Sequence, residues 1–529
     1  MENIAATVTI QRSEYDFLLN AKSRIVELEA LVKWYESQLL SAKRRLFGPS
    51  SEKTDADFHQ LTLFGESNVS ALPIIETEEI TFKRKKRRGK REEDLSFLPV
   101  ERIDYELPLT ERVCPDCGDT MRDIGVHTRR ELKLIPAKVI VLEHAAHAYA
   151  CRNCAENGER TPFLKAQAPR ALIRGSLASP SLIAHIVAQK YGNGMPLYRL
   201  EKGFHYDGVT VSRQTMANWV IFCSEKYLNP LYELMKRCLL AESVLHSDET
   251  IVQVLREPGR AARTKSYEWV YRTSGCSERK NIVYEYKQTR GQEHPKRFLK
   301  DFKGLLHTDG YQAYHNLPPD ITVIGCWAHV RRKFEDILKK IPEAGRSGTN
   351  AETGVAYINA LFSLERKFAN LTSKERYEQR LEKSKPIADA FFEWMSNLSA
   401  LPKSPIGGAV HYALSQRKYL ENVFLDGRAE ISNNRAERSV KPFVMGRKAW
   451  LFSNTPAGAA ASSVMYSLIE TAKENGLHPY RYLEYLLETL SSNSAFDIQT
   501  LLPWSDTLPE GCRVQQKKGS NINEKNEKH

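Results

Sequence analysis

Between residues 241 and 336 the chain carries apolar segments in an order that strongly limits the possible folds. Three strand-like runs come first, VLHSDETIVQVL, SYEWVYRT and NIVYEYKQTR, and each is rich in β-branched and aromatic residues. A helical run, a strand in GLLHTDGYQAY, and a fifth strand leading into a helix in ITVIGCWAHVRRKF follow. Asp248 is embedded in the first strand and Asp309 ends the fourth, so the pattern predicts two acids on neighbouring strands.

This order is that of an RNase H-like core, so the predicted fold class is multidomain α+β with an RNase H-like α/β catalytic core. Two divalent ions about 3.5–4 Å apart require hard oxygen ligands, which two such aspartates supply. One ion activates the attacking water or hydroxyl, and the other stabilises the leaving oxygen. We expect Mg²⁺, with Mn²⁺ as a substitute. Taken alone, each aspartate is as well explained by a turn or a cap. Glu249 alternates with Asp248 along the strand and is therefore expected on the opposite face.

A third carboxylate is needed to complete the metal shell, and three glutamates compete for the role. Glu437 stands at the start of a predicted helix, directly after Asn433-Asn434 and Arg435-Ala436. Glu430 lies seven residues earlier. Glu343 would suit a compact spacing, but it falls in the polar loop IPEAGRSG, which argues against a fixed ligand. We predict Glu437, with Glu430 as the alternative.

Two cysteine pairs within residues 99–168 have the spacing of a metal site: Cys114 with Cys117, and Cys151 with Cys154. Two residues between cysteines let a tight turn aim both sulfurs at one ion, and two such turns complete a four-thiolate shell. The intervening ELKLIPAKVIVLEHAAHAYAC is strand-like, so we predict a zinc ribbon holding a structural Zn²⁺. A redox pair is the alternative, weakened by the presence of two pairs. A closed shell has no open position for catalysis.

Residues 175–230 contain amphipathic stretches separated by short turns, which is typical of a helix-turn-helix region. Ser212 is suited to cap a helix that carries Arg213, Gln214 and Asn218 near its start. Side chains of these types at a helix N-terminus read base edges in the major groove of DNA. A plain helical bundle that connects two domains is the alternative interpretation.

Two further segments precede the cysteine pairs. Residues 14–48 follow an apolar heptad pattern without Pro or Gly before the terminal Gly48, which favours a leucine-zipper-like helix that forms a homo-oligomer. Packing of this helix on its own chain is the alternative. Residues 49–98 form a polar linker with the basic run KRKKRRGKR at 83–91, suited to DNA phosphates or simply to solvent.

Composition limits the partners and the compartment. Lys and Arg total 77 against 65 Asp and Glu, a net charge of +12 that favours nucleic acid as a partner. The nine cysteines are an odd number, which argues against a disulfide framework. No apolar run reaches the roughly 18 residues of a membrane helix, and the first residues lack the pattern of a secretory signal. We expect a soluble cytoplasmic protein with no membrane partner.

Several motifs occur in a fixed order along the chain. They are a leucine-rich helix ending RRLFGPSSEK, the CPDCG and CRNC pairs, QKYGNGMPLYRLEKGF, SRQTMANWV, HSDET, HTDGYQAY, CWAHVRRKF, EISNNRAERSVKPFVMGRKAWLF, YLEYLLETL and LLPW. In this order the chain resembles the bacterial transposases of the insertion-sequence-sixty-six type. The resemblance extends from about residue 14 to 506.

The resemblance implies a DDE transposase that binds the terminal inverted repeats of its own element and catalyses metal-dependent DNA strand cleavage and strand transfer. On that pattern Asp248, Asp309 and Glu437 are the metal ligands. The domains expected after the helix-turn-helix region are a catalytic domain at 240–465 with a helical insertion at about 337–430, a C-terminal helical region at 466–510, and a disordered tail at 511–529.

The DNA partner would be both the transposon ends and the target. Four cations that follow the third acid suit its phosphates: Arg438, Lys441, Arg447 and Lys448. Arg332, in CWAHVRRKF, is expected near the site for packing or phosphate contact. His329, in CWAHVRRKF, is expected near the site for packing or phosphate contact rather than direct catalysis. Small accessory proteins of the same element are expected partners, and the bound protein would associate with the nucleoid. Two other functions remain open: a metal nuclease that does not join strands, and a DNA-binding regulator with an idle core.

Overall fold

The computed structural model describes residues 138–150, 163–166, 168–492 and 496–514. The predicted N-terminal helix at 14–48, the basic linker at 49–98 and the four paired cysteines lie outside the described residues. The described part is a mixed α+β structure, as predicted. It opens with a short antiparallel pair, β1 (Ala148–Ala150) and β2 (Phe163–Lys165), whose register places Ala148 opposite Lys165.

A helical region precedes the main sheet. Its helices are α1 (Pro180–Val187), α2 (Leu197–Tyr206), α3 (Arg213–Cys223) and α4 (Asn229–Leu240). The hydroxyl of Ser212 accepts the backbone N–H of Thr215 at 3.1 Å, which caps α3. One face of α3 is buried through Met216 and Trp219, so the opposite face is left for solvent.

The five-stranded main sheet has the order β5-β4-β3-β6-β7. Its strands are β3 (Val244–Gln253), β4 (Lys265–Thr273), β5 (Ile282–Lys287), β6 (Gly304–His307) and β7 (Ile321–Ile324). β3, β4 and β5 form an antiparallel meander, whereas β6 and β7 run parallel to β3. The short helix α5 (Glu293–Phe298) connects β5 to β6. The central strand β3 therefore joins the antiparallel half of the sheet to the parallel half.

The free edge of β5 is covered by a helix instead of another strand. The backbone N–H groups of Tyr284 and Ile282 donate to the hydroxyls of Ser467 (2.8 Å) and Thr471 (3.0 Å). Both hydroxyls belong to α12 (Pro456–Glu474), whose middle is almost entirely buried. Exposed strand edges recruit other chains, so these side-chain hydrogen bonds remove an aggregation risk.

A helical subdomain follows β7 and has a hydrophobic core of its own. Its helices are α6 (Trp327–Leu338), α7 (Asn350–Lys367), α8 (Ser373–Gln379), α9 (Lys385–Ser396) and α10 (Pro405–Glu421). The buried guanidinium of Arg380 pairs with Glu365 through two contacts of 2.7 Å. It also donates to the carbonyls of Asp426 (3.1 Å) and Ala429 (2.8 Å). These bonds fix the loop through which the chain returns to the main sheet.

The chain then forms α11 (Asn434–Trp450), α12 and α13 (Pro479–Ser491). Residues 511–529 were expected to be a disordered tail, and this expectation is wrong for the first residues of the segment. The N–H of His478 donates to the carbonyl of Cys512, and the N–H of Val514 donates to the carbonyl of Gly476, each at 2.8 Å. These two contacts are backbone hydrogen bonds. The polar side chains on which the expectation rested give no sign of them. Within the described residues, no helix is long and apolar enough to cross a membrane.

The carboxyl group of Glu268 on β4 is fully buried between the sheet and its neighbours. Burial raises its pKa from the ordinary 4.5 to about 8. Between these two values the folded protein holds a proton that the unfolded chain has released. The free energy of unfolding therefore falls as the pH rises from about 4.5 to about 8, by an amount on the order of 5 kcal/mol.

We predict that Glu268→Gln removes most of this pH dependence, because the amide keeps the shape of the protonated acid and cannot ionise. Urea unfolding of both proteins at pH 5 and pH 8 measures the difference. The variant should be the more stable protein at pH 8 but not at pH 5. Glu278→Gln, at an exposed position, is the control and should follow the wild type. Parallel pH profiles for Glu268→Gln and wild type would contradict the prediction.

Candidate active site

Two strands bring the predicted aspartates to the same end of the sheet. β3 and β6 are parallel neighbours, and their register pairs His246 with His307. Asp248 and Asp309 each lie two residues beyond these histidines. Carboxylate oxygens of Asp248, Glu249 and Asp309 lie within 4.8 Å of one another. Three hard oxygen donors at this separation suit a divalent cation such as Mg²⁺ or Mn²⁺.

Each aspartate is oriented by one backbone hydrogen bond. Asp248 Oδ1 accepts the N–H of Glu249 at 2.8 Å, and Asp309 Oδ1 accepts the N–H of Tyr311 at 2.9 Å. The turn after Asp309 needs Gly310, whose φ is +89° and whose missing Cβ would lie 2.8 Å from the Gln416 amide oxygen. One oxygen of each aspartate is thereby fixed, and the other accepts no hydrogen bond from the described residues.

The electrostatics of the group favour a bound cation. Burial raises the pKa of Asp248 well above its ordinary value, and the charges of Glu249, Asp309 and Glu437 raise it further. Burial and Asp309 also raise the pKa of Glu249, although Arg290 works in the opposite direction. A divalent cation among these carboxylates would relieve both the repulsion and the cost of burying ionised groups.

The expectation that Glu249 faces away from the aspartates is wrong, since its carboxylate lies with those of Asp248 and Asp309. Strand alternation fixes the direction of Cβ but not the position of a carboxylate two carbons further out. Asp309 also lies beyond the end of β6, where the pleat no longer determines its direction. Glu249 accepts hydrogen bonds from Arg290 Nε and from the Tyr314 hydroxyl, each at 2.7 Å.

Glu437 lies in the first turn of α11 and is 6% exposed. It is close enough to contribute to the raised pKa of Asp248. Its own nearest polar neighbours are on α6: Arg332 Nη2 lies 3.3 Å from Oε2, and His329 Nε2 lies 3.5 Å from Oε1. Donor atoms of Glu437, Cys326 and His329 lie within 4.8 Å of one another. The structure thus places Glu437 beside the two aspartates but in a second group of potential ligands.

The two competing glutamates are placed elsewhere. The Glu430 carboxylate accepts the N–H of Gly275 (2.7 Å) and the guanidinium of Arg435 (3.0 Å). Burial alone would raise its pKa, but His246, Arg435 and the Gly275 N–H outweigh burial and hold the pKa well below its usual range. Glu343 is exposed in a short turn. Neither belongs to the ligand groups found among the described residues.

A buried polar bridge lies directly behind the acids. The His246 and His307 rings stack with their centroids 4.3 Å apart. Asn433 Oδ1 lies 3.0 Å from His246 Nδ1, and Asn433 Nδ2 donates to the Ser247 carbonyl at 2.8 Å. His307 Nε2 accepts the N–H of Glu430 at 3.0 Å. Burial, with a further contribution from His246, keeps the pKa of His307 well below its ordinary value, so this ring is neutral.

Asn433 connects this bridge to the third acid. It is fully buried, and its carbonyl accepts the N–H of Glu437 at 3.2 Å as α11 begins. Its own N–H donates to Cys326 Sγ at 3.1 Å. One asparagine therefore fixes the start of α11 against both β3 and α6. The bridge was not predicted, although the repeated His-x-Asp pattern in HSDET and HTDGYQAY was a signal for it.

The residues predicted to contact DNA lie on two surfaces. On α3, Arg213, Gln214 and Asn218 are exposed, and Gln214 Nε2 donates to Asn218 Oδ1 at 2.9 Å. The second surface follows α11, where Lys448 is exposed, Lys441 is half-buried, and Arg447 donates to the carbonyl of Ile251 on β3. Arg332 is held against Glu437. This second surface begins at the acidic site.

We predict that Asn433→Ala lowers the free energy of unfolding by about 2–3 kcal/mol, because it leaves buried polar groups of His246 and Ser247 without partners. Urea denaturation measures the loss. Asn434→Ala, at the adjacent and less buried position, is the matched control and should change stability by less than about 0.5 kcal/mol. Equal effects of the two substitutions would show that the bridge contributes little.

The chain matches four family profiles. The Transposase IS66 family profile matches residues 175–461, more than half of the chain. The zinc-finger binding domain of transposase IS66 matches 111–155, which includes all four paired cysteines. The IS66 C-terminal element matches 467–504, and the profile named Transposase C of IS166 homeodomain matches 34–103.

Similar curated proteins come from Sinorhizobium fredii, and their names describe them only as uncharacterized. Protein y4qI is 32% identical over 423 residues, covering 77% of this chain and 76% of the relative. Protein y4hP is 29% identical over 496 residues, covering 89% and 88%. Protein y4jD is 28% identical over 504 residues, covering 91% and 96%. Together with the acidic site and the zinc-finger match, these similarities show that the chain belongs to the IS66 family of transposases.

Proposed function

We propose that this transposase cleaves DNA at the terminal inverted repeats of its own insertion sequence and joins the freed end to target DNA. The observation that carries the proposal is the meeting of Asp248 and Asp309 at one end of adjacent parallel strands, within reach of one cation. Glu437 lies in the first turn of the helix that packs beside them. The family membership supports a reaction on DNA.

We infer that the catalytic core is RNase H-like. In support, an antiparallel three-strand meander is extended by two parallel strands, giving the order β5-β4-β3-β6-β7. Asp248 lies on the central strand and Asp309 directly follows its parallel neighbour. The helical subdomain between α6 and α11 then accounts for the long separation of the third acid from the other two.

Asp248, Asp309 and Glu437 would hold the divalent cations, with Mg²⁺ or Mn²⁺ suited to their oxygen donors. When bound, such ions activate the attacking water or hydroxyl and stabilise the leaving oxygen. The polar bridge through Asn433 would keep the three carboxylates in position. Glu249 is already bonded to Arg290 and Tyr314, so we assign it a supporting role.

DNA would contact the protein at both basic surfaces. Arg213, Gln214 and Asn218 on α3 are exposed with the donor and acceptor groups needed to read base edges. Arg332, Lys441, Arg447 and Lys448 would hold phosphates of the strand that enters the acidic site. The four cysteines 114, 117, 151 and 154 fall inside the zinc-finger match, which supports a structural Zn²⁺ with a four-thiolate shell.

Synapsis of two transposon ends requires more than one protomer or site. We propose that residues 14–48 form a helix that holds the homo-oligomer together and that small accessory proteins of the same element join the complex. The profile match at 34–103 overlaps this helix and the basic linker. We expect the protein in the bacterial cytoplasm, associated with the nucleoid when bound to DNA.

The direct test is cleavage of a labelled duplex that carries the element's own ends, in the presence of Mg²⁺. We expect end-specific nicking by the wild type and a loss of at least about hundredfold in Asp309→Asn, because the amide is a poor ligand for the cation. DNA binding, measured on the same duplex, should survive the substitution and serves as the control.

Three other outcomes are informative in this assay. Cleavage without joining to a target duplex would indicate a nuclease of the same fold. Binding without nicking, equal in both proteins, would favour a DNA-binding regulator with an idle core. If nicking then appears on addition of an accessory protein, the transposase function stands.

We further predict that Glu437→Gln abolishes nicking, whereas Glu430→Gln leaves it and instead lowers the melting temperature. The reason is that the Glu430 carboxylate already pairs with the Gly275 N–H, the Arg435 guanidinium and the His246 ring. Nicking assays and thermal melting of the two variants provide the comparison. Loss of nicking in folded Glu430→Gln, with activity retained in Glu437→Gln, would reverse the assignment of the third acid.

A further inference from the structure

A second group of potential ligands lies next to the carboxylate group, and it has a different chemistry. Cys326 precedes α6, His329 lies in the first turn of α6, and Glu437 lies in the first turn of α11. One donor atom from each residue lies within 4.8 Å of the other two. The group thus combines a sulfur, an imidazole nitrogen and a carboxylate oxygen.

Two of the three residues are buried, His329 is half-buried, and some of their polar atoms have no hydrogen-bond partner in the described part of the chain. Cys326 is 3% exposed and Glu437 is 6% exposed. Glu437 Oε1 and His329 Nδ1 are buried atoms without a hydrogen-bond partner in the described part of the chain. An unsatisfied buried polar atom costs about 1–3 kcal/mol, so such atoms in one cluster point to a missing partner.

His329 Nε2 approaches the Oε1 side of Glu437 at 3.5 Å and is itself one of the three potential ligands. Arg332 contacts the other carboxylate oxygen, Oε2, at 3.3 Å, and so does not occupy Oε1. Asn433 donates its N–H to Cys326 Sγ at 3.1 Å, which orients the sulfur. Hydrogen bonds of this kind orient ligand atoms in metal sites and tune their affinity.

The donor set selects the type of ion. Thiolate and imidazole ligands bind Zn²⁺ and similar transition metals, whereas Mg²⁺ binds to oxygen donors. Three protein ligands leave the fourth tetrahedral position open. The adjacent Asp248, Glu249 and Asp309 group offers oxygen alone, so the two groups differ in the ion they prefer.

We propose that Cys326, His329 and Glu437 form a second metal site, selective for Zn²⁺-like ions, and that its occupancy draws Glu437 away from Asp248 and Asp309. Zn²⁺ would then inhibit the Mg²⁺-dependent reaction. The inhibition rests on the proposed function, whereas the metal site does not. Glu437 is shared by the two sites, which makes their occupancies compete.

The site is tested without DNA by titrating Co²⁺ into the full chain already loaded with Zn²⁺ at its paired cysteines. We expect a thiolate-to-cobalt charge-transfer absorption in wild type. Cys326→Ser and His329→Ala should each weaken the affinity for Co²⁺, measured from this absorption, at least about tenfold. Cys276→Ser, which alters an exposed cysteine outside the group, is the matched control and should titrate like wild type. Circular dichroism establishes that each variant is folded.

X-ray absorption of the bound Co²⁺ in wild type supplies a readout that needs no variant. We expect one sulfur ligand together with nitrogen and oxygen ligands, in contrast to the four sulfurs of the paired-cysteine site. A spectrum without sulfur, or a titration identical in wild type and Cys326→Ser, would overturn the proposed site.

The regulatory part is measured as the ratio of nicking with and without added Zn²⁺ at fixed Mg²⁺. We expect this ratio to fall at least about tenfold in wild type. Cys276 lies outside the group, so the ratio in the control variant Cys276→Ser should fall as in wild type. Cobalt binding at Cys326 with no effect of Zn²⁺ on nicking would refute the regulation. If no DNA is cleaved under any condition, the proposed function fails while the cobalt result still decides the site.

Discussion

The architecture depends on holding several carboxylates together in spite of their mutual repulsion. Asp248, Glu249 and Asp309 lie within one ligand group, and the raised pKa of Asp248 records the cost of their burial and proximity. The compensating structure is the bridge of His246, His307 and Asn433, in which two stacked rings and an amide form hydrogen bonds directly behind the acids. Because the bridge acts on the backbone that carries the acids and not on their carboxylates, it fixes their positions and leaves their negative potential available to attract a cation.

The helical subdomain contributes to the same geometry from a distance. Arg380 joins the carbonyls of Asp426 and Ala429 to Glu365, so the loop before α11 is tied to α7. α6 begins at the end of β7 and supplies Arg332 to Glu437. The helical subdomain therefore does more than lengthen the chain between the second and third acids, since it holds both the loop before α11 and the first turn of α11, where Glu437 lies.

The sequence predicted the mixed α+β class and the succession of five strands, because strand-forming residues and their turns are local signals. It also placed Asp248 and Asp309 on neighbouring strands, although their metal role stays a prediction. Glu249 was assigned to the wrong face because alternation describes Cβ directions and ignores the reach of a long side chain. The grouping of Cys326 with Glu437 depends on a contact between α6 and α11 across the whole insertion, and no local pattern encodes that distance.

The covered edge of β5 bears on how protomers can assemble. Hydroxyls of Ser467 and Thr471 already occupy the backbone groups of that strand, and at the other side of the sheet the Asn422 amide donates to the Val323 carbonyl at 2.7 Å. Neither flank of the sheet is a ready template for backbone pairing between copies. If two copies met on DNA, these covered edges would disfavour a continuous intermolecular sheet, and the contact between the copies would have to come from side-chain surfaces.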